Sequence, residues 1–192
     1  MTWEHAPLPE IIALFRPLKA LWWLSGGYAL ERAVGHAYRD HGDLDLSVRR
    51  DDHLAARAHL AGWDCHVADP PGELRPWAVG EVLPAHAHDI WVREHPGGPW
   101  RFQLMLDEIE GDEWVYRRDP AVRRPLSSLL VADDGFLRLS PEVQLLFKSV
   151  GIRPKDEVDF ERVVPILTEA QLDWLVSALP SGHVWRQRLL SE

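Results

Sequence analysis

The sequence predicts an α/β (α+β) fold, with a core of strands and helices over residues 1–139 and a helical tail over residues 140–192. Three observations carry this expectation. Strand-length apolar runs alternate with helix-period segments over the first third of the chain. A meander of β-rich runs follows, ending in a hairpin signal. From Ser140 the period becomes helical and stays so to the end.

Residues 8–20, LPEIIALFRPLKA, read as a helix ended near Pro17, with Ile11, Ile12, Leu14 and Phe15 as its apolar face. A short strand over 21–24 runs into Gly26-Gly27, and a helix from Tyr28 to Val34 closes at Gly35. A polar loop over 36–42 leads to a strand over 43–49. Asp51-Asp52 open a helix that stops near Gly62. Residues 64–68 suit a strand, and 70–76 a turn-rich loop. HDIWVRE (88–94), WRFQLMLDE (100–108) and EWVYRR (113–118) read as successive strands, and Pro120 and Pro125 mark a loop. In LLVADDGFLRL (129–139), Asp134-Gly135 between apolar runs signals a hairpin. The tail starts with Ser140-Pro141, an N-cap followed by Pro at the first helical position. Further helices follow Pro154, the capping box Thr168–Gln171, and Ser181-Gly182.

Chemistry concentrates in residues 22–48, WWLSGGYALERAVGHAYRDHGDLDLSV. Glycine lets a ligand approach the backbone closely, and a helix start offers free N–H groups and partial positive charge to a phosphate. In Asp43-Leu44-Asp45-Leu46-Ser47-Val48 the two acids share one strand face and the apolar residues the other. Paired carboxylates repel unless a cation lies between them, and hard oxygen ligands of this kind suit magnesium.

This order of features resembles the nucleotidyltransferase superfamily of the DNA polymerase β type. Its signature is an apolar residue, Gly, then Gly or Ser, and a D-h-D strand after a short helix. The longer form GGYAL…RDHGDLDLSV is similar to the small aminoglycoside and lincosamide adenylyltransferase-like proteins. The resemblance implies a nucleotidyltransferase-like mixed sheet flanked by helices. It also implies transfer of a nucleoside monophosphate from ATP or another NTP to a hydroxyl, with Mg2+ as cofactor. Ser25, Gly26 and Gly27 match the phosphate turn, and Asp43 and Asp45 the first two metal ligands.

The family has a third acid on a neighbouring strand, where this chain carries Gln103. Asp107 shares a face with Gln103 by parity and is the expected third catalytic and metal-binding acid, with Asp89 and Glu108 as alternatives. Lys148, among apolar helix neighbours, either reaches water or meets the triphosphate. Arg39 has the same two readings, phosphate contact or a loop ion pair. Glu108, Trp100 and Trp114 are the expected acceptor-binding residues. Lys155, Asp156 and Asp159 read as one structural, solvated helix face. His41 positions the acidic strand or meets substrate. The His86-Ala87-His88-Asp89 spacing alone does not make a zinc site.

The formal net charge of −9 argues against general nucleic-acid affinity. A single cysteine excludes an internal disulfide. No run has the length of a membrane span and the N-terminus has no signal-peptide pattern, so the expected location is the cytoplasm. The expected acceptor is a small molecule such as an aminoglycoside or lincosamide. Two rival readings stand beside this one. The first is a toxin-like transferase acting on tRNA or protein. The second is a nucleotide-binding protein that lost catalysis when Gln103 replaced the acid.

Overall fold

The computed structural model describes residues 2–191. Its core begins with α1 (Leu8–Phe15), β1 (Trp22–Ser25), α2 (Gly26–Val34) and β2 (Asp45–Arg49). A 3-10 turn over Arg50–Asp52 leads into α3 (His53–His59). Then come β3 (Asp64–Ala68), β4 (Leu74–Pro76), β5 (Asp89–Arg93), β6 (Phe102–Glu110), β7 (Glu113–Val115) and β8 (Arg123–Pro125). A single helical turn, α4 (Leu126–Leu129), precedes the hairpin of β9 (Leu130–Asp133) and β10 (Phe136–Leu139). The tail comprises α5 (Pro141–Lys148), α6 (Pro154–Val163), α7 (Glu169–Ala178) and α8 (Val184–Leu189).

The sheet is mixed. Its strand order is β4-β3-β5-β6-β2-β1-β10-β9, with β7 and β8 extending from the end of β6. The β2–β6 and β1–β10 pairs are parallel and the rest antiparallel.

The first helix, expected to break or end near Pro17, does end there, at Phe15 with Arg16 as its cap. Other elements differ from expectation. Residues 74–76 and 123–125, expected in loops, pair as short edge strands. The acidic strand is assigned from Asp45 rather than Asp43, and Leu44 already accepts a bond from the Gln103 N–H.

Alternation along the central strands separates two cores. On one face, Leu24, Leu46, Val48, Ile90, Phe102, Leu104 and Leu106 pack beneath α1 and α3 with Phe15, Ala56 and Leu60. On the other, Trp23 and Trp114 join Leu30, Val143, Leu146, Phe160 and Trp185 from α2 and the tail helices. The second cluster therefore runs across the change of period at residue 140. Among the described residues no helix is long and apolar enough to cross a membrane.

Candidate active site

On the tail-covered face the packing is incomplete, and a cavity of about 460 Å³ remains between the sheet and α5. Ser25, Gly26, Asp43, Asp45, Asp107 and Lys148 line it, together with Gln103, Gln144 and Arg117. The stretch that carries the Gly turn and the two acids therefore faces one space.

The antiparallel β1–β2 register sets Ser25 opposite Asp45. Gly26 has φ +67, and a Cβ there would lie 1.9 Å from Asp45 Oδ2. Both the backbone angle and the close carboxylate thus require glycine. Gly27 is closed by different neighbours: a Cβ would fall 2.2 Å from His41 Nδ1 and 2.7 Å from Arg39 Nη2. His41 packs on Tyr28 and sits 2.9 Å from Glu31, and burial, with Arg39 adding to it, lowers its pKa. It supports the turn from behind and is outside the cavity lining.

Burial, and next the adjacent Asp43, push the Asp45 carboxyl up to about 7. Beside Asp45 across the parallel pair stands Gln103, whose Nε2 donates to Asp89 Oδ1 at 2.7 Å. Asp107 shares the Gln103 face but lies four residues further along β6, about 13 Å at strand rise. It lines the opposite end of the cavity floor. Its Oδ1 accepts from Trp114 Nε1 at 3.1 Å and it bonds Ser47, while burial raises its pKa. Ser47 in turn bonds Ser25 at 2.8 Å. Asp107 is thus too distant in register to stand beside Asp45 as a third ligand. Among the described residues no three His, Cys, Asp or Glu side chains converge on one metal position.

From the tail, Gln144 and Lys148 reach the cavity from one face of α5, being four residues apart. Gln144 Oε1 accepts the Gly26 N–H at 2.7 Å. Lys148 Nζ sits 2.9 Å from Asp159 and 3.3 Å from Asp156, two buried acids on α6. Asp156 and Asp159 are therefore internal counter-ions rather than a solvated face. Arg39 is held by the same Asp159 at 2.7 and 2.8 Å and is outside the cavity lining.

The expected acceptor groove is not assembled. Glu108 faces away from Asp107 and pairs with Arg50. Trp100 lies in a separate cavity with His66 and Arg93, whose guanidinium is 4.4 Å from its ring. Trp114 is fully buried beneath Asp107. Sequence reasoning missed Arg117, Arg118, Phe147 and Arg153, which complete the lining. The i, i+4 spacing of Gln144 and Lys148 was the one readable sign of that wall.

Compared with known proteins, the chain matches the family model described as aminoglycoside-2''-adenylyltransferase over residues 7–163. No curated protein matches it by sequence. The lincomycin-bound structure of the lincosamide antibiotic adenylyltransferase LnuA is similar, with TM-score 0.59 and 17% identity, covering 87% of this chain and 100% of that one. The solution structure of the antibiotic-resistance factor ANT(2'')-Ia gives TM-score 0.58 at 13% identity, covering 96% and 91%. Both likenesses bear on the fold, which agrees in its mixed sheet and flanking helices. With the family model spanning most of the chain, the protein belongs to the aminoglycoside-2''-adenylyltransferase family and is a nucleotidyltransferase.

Proposed function

We propose that the protein transfers a nucleoside monophosphate from ATP to a hydroxyl of a small antibiotic, with Mg2+ as cofactor. The observation that carries this reading is the convergence of Asp43, Asp45 and Gly26 on one cavity. The donor set fits magnesium: two adjacent carboxylates, one raised by burial and like charge, have no bonded cation to balance them. Magnesium keeps waters and phosphate oxygens as ligands, so two protein carboxylates suffice. When bound, it would supply charge neutralisation on the phosphates.

The chain's own residues do the rest. Gly26 lets the Asp45 carboxylate close against the turn, at the edge of the space a phosphate would enter. Gln144, its carbonyl fixed by the Gly26 N–H, turns its amide N–H groups toward the cavity. Asp107 is the lining carboxylate placed to take the acceptor proton, and its raised pKa makes it a better base. The hydroxyl oxygen then bonds to the α-phosphorus, the bond to the β-phosphate oxygen breaks, and pyrophosphate leaves.

The lining also bears on the acceptor. Its carboxylates are Asp43, Asp45 and Asp107, and all three have roles above. The acidic run beyond them is engaged elsewhere, with Glu110 and Glu113 on Arg123. No free carboxylate among the described lining residues awaits a polyamine, which favours a lincosamide-like acceptor over a polycationic aminoglycoside. Incubating the protein with labelled ATP, Mg2+ and both antibiotic classes tests this, read as the mass gain of one nucleotide unit. Product from lincomycin, absent with Asp45→Asn, is expected. Product that persists in Asp45→Asn would sink the assignment. Because Gln103 stands where the acid is expected, ATP binding without product from any acceptor would favour the non-catalytic reading.

A further inference from the structure

We infer that Arg117 is the anion clamp of this cleft and takes a phosphate of the nucleoside triphosphate. The inference rests on the nucleotidyl-transfer reading and adds a residue to it. Arg117 follows β7 and lines the cavity, its guanidinium 5.5 Å from the centre of the Phe147 ring. Among the described residues it makes no hydrogen bond and no ion pair; Asp107 and Asp89 act on it only at a distance. Burial disfavours its charge, so the position is costly until an anion arrives.

Of the other cations near the cleft, Lys148 lies between Asp156 and Asp159 and Arg153 is bonded to Asp156. Arg118 is charged but exposed and donates to the Phe147 carbonyl. A triphosphate carries more negative charge than a metal held by two carboxylates cancels. Lys148 brings two aspartates with it, so its pair offers little net charge. Arg117 brings none. Its planar fork, over the Phe147 ring, suits two phosphate oxygens at once. The phosphate contact expected of Lys148 thus passes to Arg117.

The test is calorimetry on the full chain with Mg2+, using inorganic tripolyphosphate, ATP and adenosine as probes. Arg117→Gln should weaken tripolyphosphate and ATP about tenfold or more, the scale of a charge-assisted bond, and leave adenosine unchanged. Arg117→Lys should recover part of the loss. Since Arg117 bonds nothing in the fold and its charge is costly there, neither variant should melt below the wild type. A second measurement needs no variant: tripolyphosphate should protect Arg117 from phenylglyoxal modification, read by peptide mass. Tripolyphosphate binding unchanged in Arg117→Gln, or no protection, overturns the inference while leaving nucleotidyl transfer standing. A wild type that binds neither tripolyphosphate nor ATP overturns both.

Discussion

At the Gly26 end of the cleft, Asp43 and Asp45 stand together without a bonded cation among the described residues. At the other end, Asp107 is held by Trp114 and Ser47. Both ends use the same face of β2 and β6; Asp43 and Asp45 are half-buried and Asp107 is buried. The cation that acts most on Asp45 is Lys148, and it is tied to Asp156 and Asp159 instead. The difference separates their work in the proposed function. There the unbalanced acid pair would take a cation supplied from outside. A single acid fixed by donors is oriented, and its protonation is set by its surroundings. Parity on a strand gives both the same face, and distance along the strand gives them different work.

The comparison breaks most sharply at Asp45. Asp45→Asn should lower transfer by about 10³-fold or more, the scale of losing a principal electrostatic group. It should also stabilise the metal-free protein. The folded pKa of Asp45, about 7, lies above its ordinary 3.8, so the folded state holds this proton more tightly. Wild-type stability from this group therefore falls as pH rises between those values and stays lower above them. The variant should melt like wild type near pH 4 and several degrees higher near pH 8, by scanning fluorimetry. A variant less stable than wild type at pH 8 would show that Asp45 is not a strained anion.

Gly26→Ala attacks the same end through the backbone. The added methyl meets the Asp45 carboxylate, and the residue must keep a left-handed φ. A loss of about 2–4 kcal/mol in stability is expected, from strain and overpacking together, with transfer lost as well. Denaturant unfolding measures the first. Activity at wild-type level would mean that the turn can move away from Asp45 without harm.

These two variants act on the part of the molecule that was most legible in the sequence. Gly26-Gly27, Asp43 and Asp45 are close in sequence, on two neighbouring strands joined by α2, and the β1–β2 register brings them together. The strand alternation likewise identified Asp107 as facing the same side. Its distance from Asp45 depends on the β2–β6 register, which no local pattern encodes. Trp100 and Glu108 failed as acceptor residues for related reasons. Glu108 is one residue out of parity, and Trp100 belongs to a cluster with Trp3 and Trp91 formed by long-range pairing. Arg117 was read as a strand residue because nothing local shows that β7 ends at Val115 and leaves it over Phe147.

Lys148 tests whether the tail is part of the cleft or only its lid. Lys148→Ala leaves two buried acids without their shared cation, though Arg39 still bonds Asp159 and Arg153 still bonds Asp156. Breaking a buried pair in this way should cost about 3 kcal/mol. The loss should shrink in acid, because Asp156 and Asp159 both have lowered pKa values and their contribution fades as pH falls through them. Tripolyphosphate affinity should change less than in Arg117→Gln. Equal losses in the two variants would place Lys148 in direct phosphate contact.

The finest test concerns the fixed end. Trp114→Phe keeps an aromatic ring in the buried site and removes only the N–H that bonds Asp107. That donor stabilises the charged carboxylate, so its loss must raise the Asp107 pKa further above its already raised position. If Asp107 takes the acceptor proton, it must be ionised to act, and the acid limb of the kcat profile should move to higher pH. Near pH 8 the variant should lose only about fivefold, the scale of one hydrogen bond. The Asp45 end should not respond, so Mg2+-dependent ATP binding should match wild type. An acid limb that stays in place, with kcat lowered equally at every pH, would show that Trp114 only packs and that another group receives the proton.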